Sequence, residues 1–180
     1  RGGAGSSNVK LAKDKATAIS LVNKAFGSGF SQYQAMDNLK ERIRKYRKGT
    51  TDAKDVLKGI VRLAKPPASA KVSGREMGYV YFQEFIPGND HDIRVVVIGD
   101  KAYAIKRMVR ENDFRASGGG HILYAKELFN ESLIQLSFDI NKKLKSQCLA
   151  LDFVFDQGRP LVVEISFGFS MAGYDPCPGY

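Results

Sequence analysis

The last third of the sequence carries the pattern that most restricts its fold. Two apolar runs, Leu149 to Phe155 and Leu161 to Ile165, flank the turn signal Asp156-Gln157-Gly158-Arg159-Pro160, and each run contains one carboxylate. β-Branched and aromatic residues around a glycine-containing turn specify an antiparallel hairpin. If the turn centres near Gln157 and Gly158, residues equidistant from it face each other, so Asp152 opposes Glu164 on one side of the sheet. Carboxylates rarely sit in such runs without a partner. Facing like charges are destabilising unless a cation or a proton resolves them. Hard oxygen ligands of this kind suit magnesium carried in by a nucleotide phosphate, and Ser166, two residues on, faces the same side. The competing reading is that one carboxylate pairs with an arginine or lies at an exposed strand edge.

A second hairpin is expected upstream, from Ile93 to Ile98 and Ala102 to Met108 around Gly99-Asp100-Lys101, with Tyr79 to Ile86 as a further strand. A basic string follows: Arg94, Lys106, Arg107, Arg110 and Arg115, with Asn112 and Asp113 between. Arg94 and Arg107 can share a face across that hairpin, where rigidly held guanidiniums bind phosphate or carboxylate oxygens bidentately. An ordinary solvated sheet face is the plainer alternative. Gly118-Gly119-Gly120 opens a loop, and apolar periodicity from about Ala125 to Lys145 predicts a core helix.

The first third reads as helical. One helix is expected from about Asp14 to Phe26, with Ala18, Ile19, Val22 and Phe26 on one face, ending at Gly27 and Gly29. Two amphipathic helices follow, one marked by Leu39, Ile43 and Tyr46 and one by Val56, Leu57, Ile60, Val61 and Ala64. Between Leu39 and Val72 there are eleven Lys or Arg and three Asp or Glu, which accounts for nearly all of the chain's net charge of +9. A polyanion or nucleic-acid surface using Arg42, Arg44, Arg47 and Lys48 is therefore a second functional class to weigh, although Tyr46 is the one aromatic platform on that stretch.

With 180 residues the chain suits one domain or two small subdomains around a cleft. The expected division is 1–86, glycine-rich loop, helices and strand, and 87–180, with the carboxylate hairpin. No apolar run approaches membrane-spanning length and no signal segment opens the chain, while two cysteines make neither a disulfide framework nor a metal-spacing motif. A cytoplasmic, reducing location is expected. The start at Arg1 and the ending at Cys177-Pro178-Gly179-Tyr180 both read as cut, so a longer functional protein is expected. Gly2 to Asn8, including Gly3, Gly5, Ser6 and Ser7, would let backbone N–H groups approach phosphate, but lacks the ending of a P-loop. His91 and His121 are expected on the surface or in loops. No Gly-x-Ser-x-Gly elbow or Cys/His nucleophile pattern occurs, so covalent hydrolase chemistry has little support.

Taken in order, these segments resemble the ATP-grasp fold, most closely the branch of the ribosomal-protein glutamate ligases and bacterial glutathione synthetases. The resemblance rests on Arg1 to Val9, on Gln83-Glu84-Phe85-Ile86, and on Asp92-Ile93-Arg94 through Gly99 with Arg107 and Asn112-Asp113-Phe114-Arg115. Leu151-Asp152 with Glu164-Ile165-Ser166 completes it. It implies an α+β fold with antiparallel sheets and packed helices, comprising the central and C-terminal ATP-grasp subdomains. It also implies an ATP- and magnesium-dependent carboxylate-amine or thiol ligase working through an acylphosphate, with a small-molecule or peptide carboxylate and an amine acceptor as partners; an ATP-grasp kinase is the alternative. Under it, the glycine-rich loop and Gln83, Glu84, Phe85 and Ile86 hold the nucleotide. Asp90 approaches the ribose, Asp152 and Glu164 ligate magnesium, and Arg94, Arg107 and Arg115 face the transferred phosphate and the acceptor carboxylate. The chain departs from the family in having Ser166 where Asn is common, a basic helical insertion from Gln34 to Lys71, and no residues corresponding to the nucleotide lysines that would lie before Arg1. Its ending is similar to ATP-grasp proteins encoded with bacterial cell-surface polysaccharide genes.

Overall fold

In the second half of the chain, alternating apolar residues and two tight glycine turns produce a five-stranded antiparallel sheet. It is described from a computed structural model covering residues 8–31, 33, 35–47, 49, 51–65, 67–68, 74–109, 114–116, 121–169 and 173–180. Gly3, Gly5, Ser6 and Ser7, together with Lys48, Arg110, Asn112, Asp113 and the triple glycine at 118–120, lie outside the described residues. The chain divides into two compact units, Arg1–Gln83 and Glu84–Tyr180.

In the first unit, α1 (Lys15–Phe26) is capped by Asp14, whose carboxylate accepts from the Thr17 amide. It ends where the Gly27 and Gly29 amides donate to the carbonyls of Asn23 and Lys24. Gly29 takes the left-handed φ of +67° that this exit needs, and a side chain there would strike the Glu76 carbonyl. The chain then forms β1 (Phe30–Ser31), paired antiparallel with β2 (Arg75–Glu76). Between them lie α2 (Ala35–Arg47) and α3 (Ala53–Ala64), the latter capped by Asp52.

These two helices meet through a glycine. Gly59 is buried, and a Cβ there would lie within 2.9 Å of Leu39 and Arg42 atoms, so the missing side chain permits the approach. Arg42 bridges the pair, donating to Asn38 on its own helix and to both the carboxylate and the carbonyl of Asp55. The apolar faces read from periodicity are buried only in part: Ala18, Val22, Leu39, Ile43 and Val56 are half-buried, whereas Leu57, Ile60, Val61 and Phe26 are more than half exposed, and Ala25 is the buried residue of α1. The run Tyr79 to Ile86 also departs from expectation, since it forms no strand. No neighbouring strand pairs with it among the described residues, and β propensity without a ladder partner does not make a strand.

The second unit is built on β3 (His91–Ile98), β4 (Lys101–Met108), β5 (Ile122–Leu123), β6 (Cys148–Asp156) and β7 (Arg159–Ser166), in the order β5-β4-β3-β6-β7. β3 and β4 are joined by Gly99-Asp100, with Gly99 at φ +59°. β6 and β7 are joined by Gln157-Gly158, both with positive φ, the geometry of a type I′ hairpin turn. The predicted core helix is α4 (Glu131–Leu144), starting later than periodicity suggested because Asn130 caps it, its side chain accepting from the Ser132 amide. The preceding residues Lys126–Leu128 form a single 3₁₀ turn, which leaves Leu128 partly exposed.

The sheet has two buried faces. On one, Ile93, Val95, Val97, Leu149, Leu151 and Phe153 pack against Leu133, Ile134 and Phe129 from α4 and its approach. On the other, Val96, Ile105, Ala150 and Tyr174 form a smaller cluster. Burial on both sides makes β3 and β6 the rigid centre, and the polar residues that interrupt their apolar runs fall on the face opposite α4.

Candidate functional site

Glu164 reaches that face because of one extra residue. A two-residue loop at Gln157-Gly158 pairs Asp156 with Arg159 and Phe153 with Val162, which would set Asp152 opposite Val163 and turn Glu164 toward α4. A β-bulge between those registers absorbs Val163, so that Asp152 pairs with Glu164 and Ala150 with Ser166. Both carboxylates and the Ser166 hydroxyl, which donates to Glu164 Oε1 at 3.0 Å, therefore lie on one face.

The cations that resolve the pair are arginines. Arg94 of β3 donates to Asp152 from Nε at 2.5 Å and from Nη2 at 2.8 Å. Arg107 of β4 donates to the same Oδ2 at 2.8 Å and bidentately to Asp92 at 2.6 Å from both Nε and Nη2. Arg94 Nη2 also stands 3.7 Å from Glu164. The result is an alternating row across four strands, Asp92, Arg107, Asp152, Arg94 and Glu164, two positive charges among three negative. The plainer reading of the hairpin thus describes both carboxylates: Asp152, 4% exposed, is paired with arginine, and Glu164 is exposed on the edge strand. Burial opposes the charge on Arg107, but the Asp92 and Asp152 carboxylates raise its pKa well above the ordinary arginine range. Arg94 is raised in the same way, burial working against it and Asp152 for it. At Asp92 burial is the larger effect and pushes the carboxyl upward against the pull of Arg107.

Sequence reasoning overlooked Asp92 and Tyr174. Asp92 had a signal, since it is the register partner of Arg107 across the Gly99-Asp100 turn. Tyr174 had none, for it lies in an irregular segment and joins Val96, Ile105 and Ala150 only through the tertiary fold.

The remaining predicted residues lie on other segments. Arg115 lies beside Phe114, its guanidinium carbon 5.7 Å from the ring centre, and Phe114 meets Phe85 edge to face at 6.1 Å. Gln83, Glu84, Phe85 and Ile86 are irregular backbone at the division between the two units, with Phe85 half exposed. Asp90 is exposed, held low by its hydrogen bond with His91 Nδ1 at 2.5 Å. His91 is not a loop residue: it opens β3, half buried, against the Phe155 ring. Asp90 and His91 line a cavity of about 600 Å³ with Ile93, Leu133 and Phe155, residues of the α4 side of the sheet. The turn before them is bolted to β6 by Asn89, whose side chain accepts from the Phe155 amide and donates to its carbonyl. Arg42, proposed for a polyanion surface, is committed to Asp55 and Asn38.

A family model, the RimK-like ATP-grasp domain, matches residues 56–174. That span is about two thirds of the chain and includes every strand of the charged row. The chain belongs to the RimK-like ATP-grasp domain family. No curated protein matches it. ATP-grasp domains are generally ATP-dependent ligases that use ATP and typically magnesium. The oxygens present suit that metal: Asp152 Oδ1 takes one hydrogen bond and keeps a second lone pair, and Glu164 stands beside it on the same face. Among the described residues no group of three or more His, Cys, Asp or Glu could hold a metal ion by itself. A magnesium ion here would thus share its shell with phosphate oxygens and water, as this ion commonly does. No helix among the described residues is long and apolar enough to cross a membrane.

Proposed function

We propose that this ATP-grasp chain carries the phosphoryl and metal face of a magnesium-dependent carboxylate-amine or thiol ligase that works through an acylphosphate. The observation that carries the reading is the pair Arg94 and Arg107, fixed on a sheet floor by Asp152 and Asp92, beside the register-paired carboxylates Asp152 and Glu164.

In the first step a substrate carboxylate oxygen attacks the terminal phosphorus of ATP and ADP departs. In the second an amine or thiol attacks the acyl carbon and phosphate departs. Neither step needs a protein nucleophile; both need dispersal of phosphoryl charge and alignment of the reacting atoms. Arg94 and Arg107 supply fixed guanidinium donors at low reorganisation cost, because their carboxylate partners already hold the side chains in place. Asp152 and Glu164, with Ser166, would hold magnesium, which when bound neutralises phosphate charge. Glu84, Phe85 and Ile86 hold the adenine, Gln83 and Asp90 lie alongside the nucleotide, and Arg115 faces the acceptor carboxylate.

ADP release by the full-length protein, measured over a panel of acids and amines, tests this reading. Acceptor-dependent release is expected, falling about a hundredfold or more in Arg94→Lys, which keeps the charge and loses the planar fork. Acceptor-independent release, or wild-type turnover by the variant, would overturn it.

A further inference from the structure

Residues 173–180 form a strap that starts on the sheet face opposite α4 and is anchored along β4. Cys177 donates its Sγ–H to the Ala104 carbonyl at 3.3 Å, and its amide donates to the Tyr174 carbonyl at 2.8 Å. Tyr180 exchanges both main-chain hydrogen bonds with Ala102, at 3.0 and 3.1 Å, covering an edge of β4 that β5 does not reach. Its ring lies under the Lys126 ammonium at 4.6 Å and its hydroxyl donates to the Lys126 carbonyl. With its far end fixed in this way, the strap seats Tyr174, 7% exposed, on Val96, Ile105 and Ala150.

Those three residues are the strand neighbours, two positions along, of Arg94, Arg107 and Asp152. The Tyr174 side chain therefore stands on the same face as Arg94, Arg107 and Asp152, one side-chain row along, and its hydroxyl feels the charge of all three. An ordinary phenol is protonated at neutral pH. A phenol has one O–H to donate. Among the described residues no carbonyl or carboxylate takes it.

We propose that Tyr174 is a ligand contact of this face, its O–H donating to an anionic oxygen, phosphate or carboxylate, that rests on Arg94. This rests on the reading that the arginines receive an oxyanion, and adds to it a residue that no motif contains. The donor is neutral and directional, so it discriminates by oxygen position where the arginines discriminate by charge.

Calorimetric titration of inorganic phosphate, and separately of acetate, into the chain and its Tyr174→Phe and Arg94→Lys variants tests the proposal, with melting temperatures recorded alongside. Tyr174→Phe is expected to weaken binding about tenfold, the scale of one hydrogen bond to a charged group, at an unchanged melting temperature. The anion whose affinity falls identifies the oxygen that Tyr174 reads. In ¹³C-tyrosine-labelled wild-type protein the Tyr174 Cζ resonance should shift on saturation with that anion. If Arg94→Lys loses binding while Tyr174→Phe keeps wild-type affinity, or the Tyr174 resonance does not move, Tyr174 is no ligand contact and the arginine site stands. If the wild-type chain binds neither anion, the arginine reading falls and this proposal with it.

Discussion

Asp152→Ala is expected to destabilise the second unit by about 3–5 kcal/mol, the cost of removing one partner from a buried ion pair. Asp152 accepts three charged hydrogen bonds from two arginines, and alanine removes their shared acceptor at a position only 4% exposed. Arg107 keeps its bidentate bond with Asp92, and Arg94, with Glu164 at 3.7 Å, has a replacement acceptor close by. The loss should therefore fall toward the lower end of that range. Urea unfolding followed by circular dichroism measures it. A loss below about 1 kcal/mol, the level of an exposed ion pair, would mean that the row is solvated rather than buried.

Phe153→Ala, one position further along the same strand, is expected to cost a similar 3–5 kcal/mol by a different mechanism. Phe153 is fully buried on the α4 side with Val95, Leu133 and Leu151, and its removal leaves a cavity that a sheet held from both sides cannot collapse into. The two substitutions separate by their effect on ligands. At a temperature where both variants are folded, Phe153→Ala should bind anions as the wild type does, whereas Asp152→Ala should not. Equal anion affinity in the two variants would show that the two faces of β6 do not divide packing from chemistry.

How much of this was legible follows from the period of each element. Both hairpins could be read because a two-residue alternation and a glycine at the turn act locally, and Asp92, Arg94 and Arg107 fall into register from the turn alone. The turn alone does not oppose Asp152 to Glu164: it is tight, and the register that pairs them comes from the bulge at Val163, which no residue type announces. Periodicity found α2 and α3 and marked Leu39, but not Gly59, whose missing side chain lets Leu39 and Arg42 approach. Tyr79 to Ile86 has strand composition and no strand to pair with. Tyr174 was invisible because its neighbours lie far from it in sequence, on β3, β4 and β6.

The central claim is that the Asp152 and Glu164 face receives a magnesium nucleotide. Titration of magnesium with a non-hydrolysable ATP analogue into the longest soluble form of the protein, beside Asp152→Asn and Glu164→Gln, tests it most directly. Glu164 is exposed and contributes little to folding, so its variant isolates the binding role. The account predicts magnesium-dependent binding that both substitutions abolish; nucleotide binding indifferent to both would contradict it.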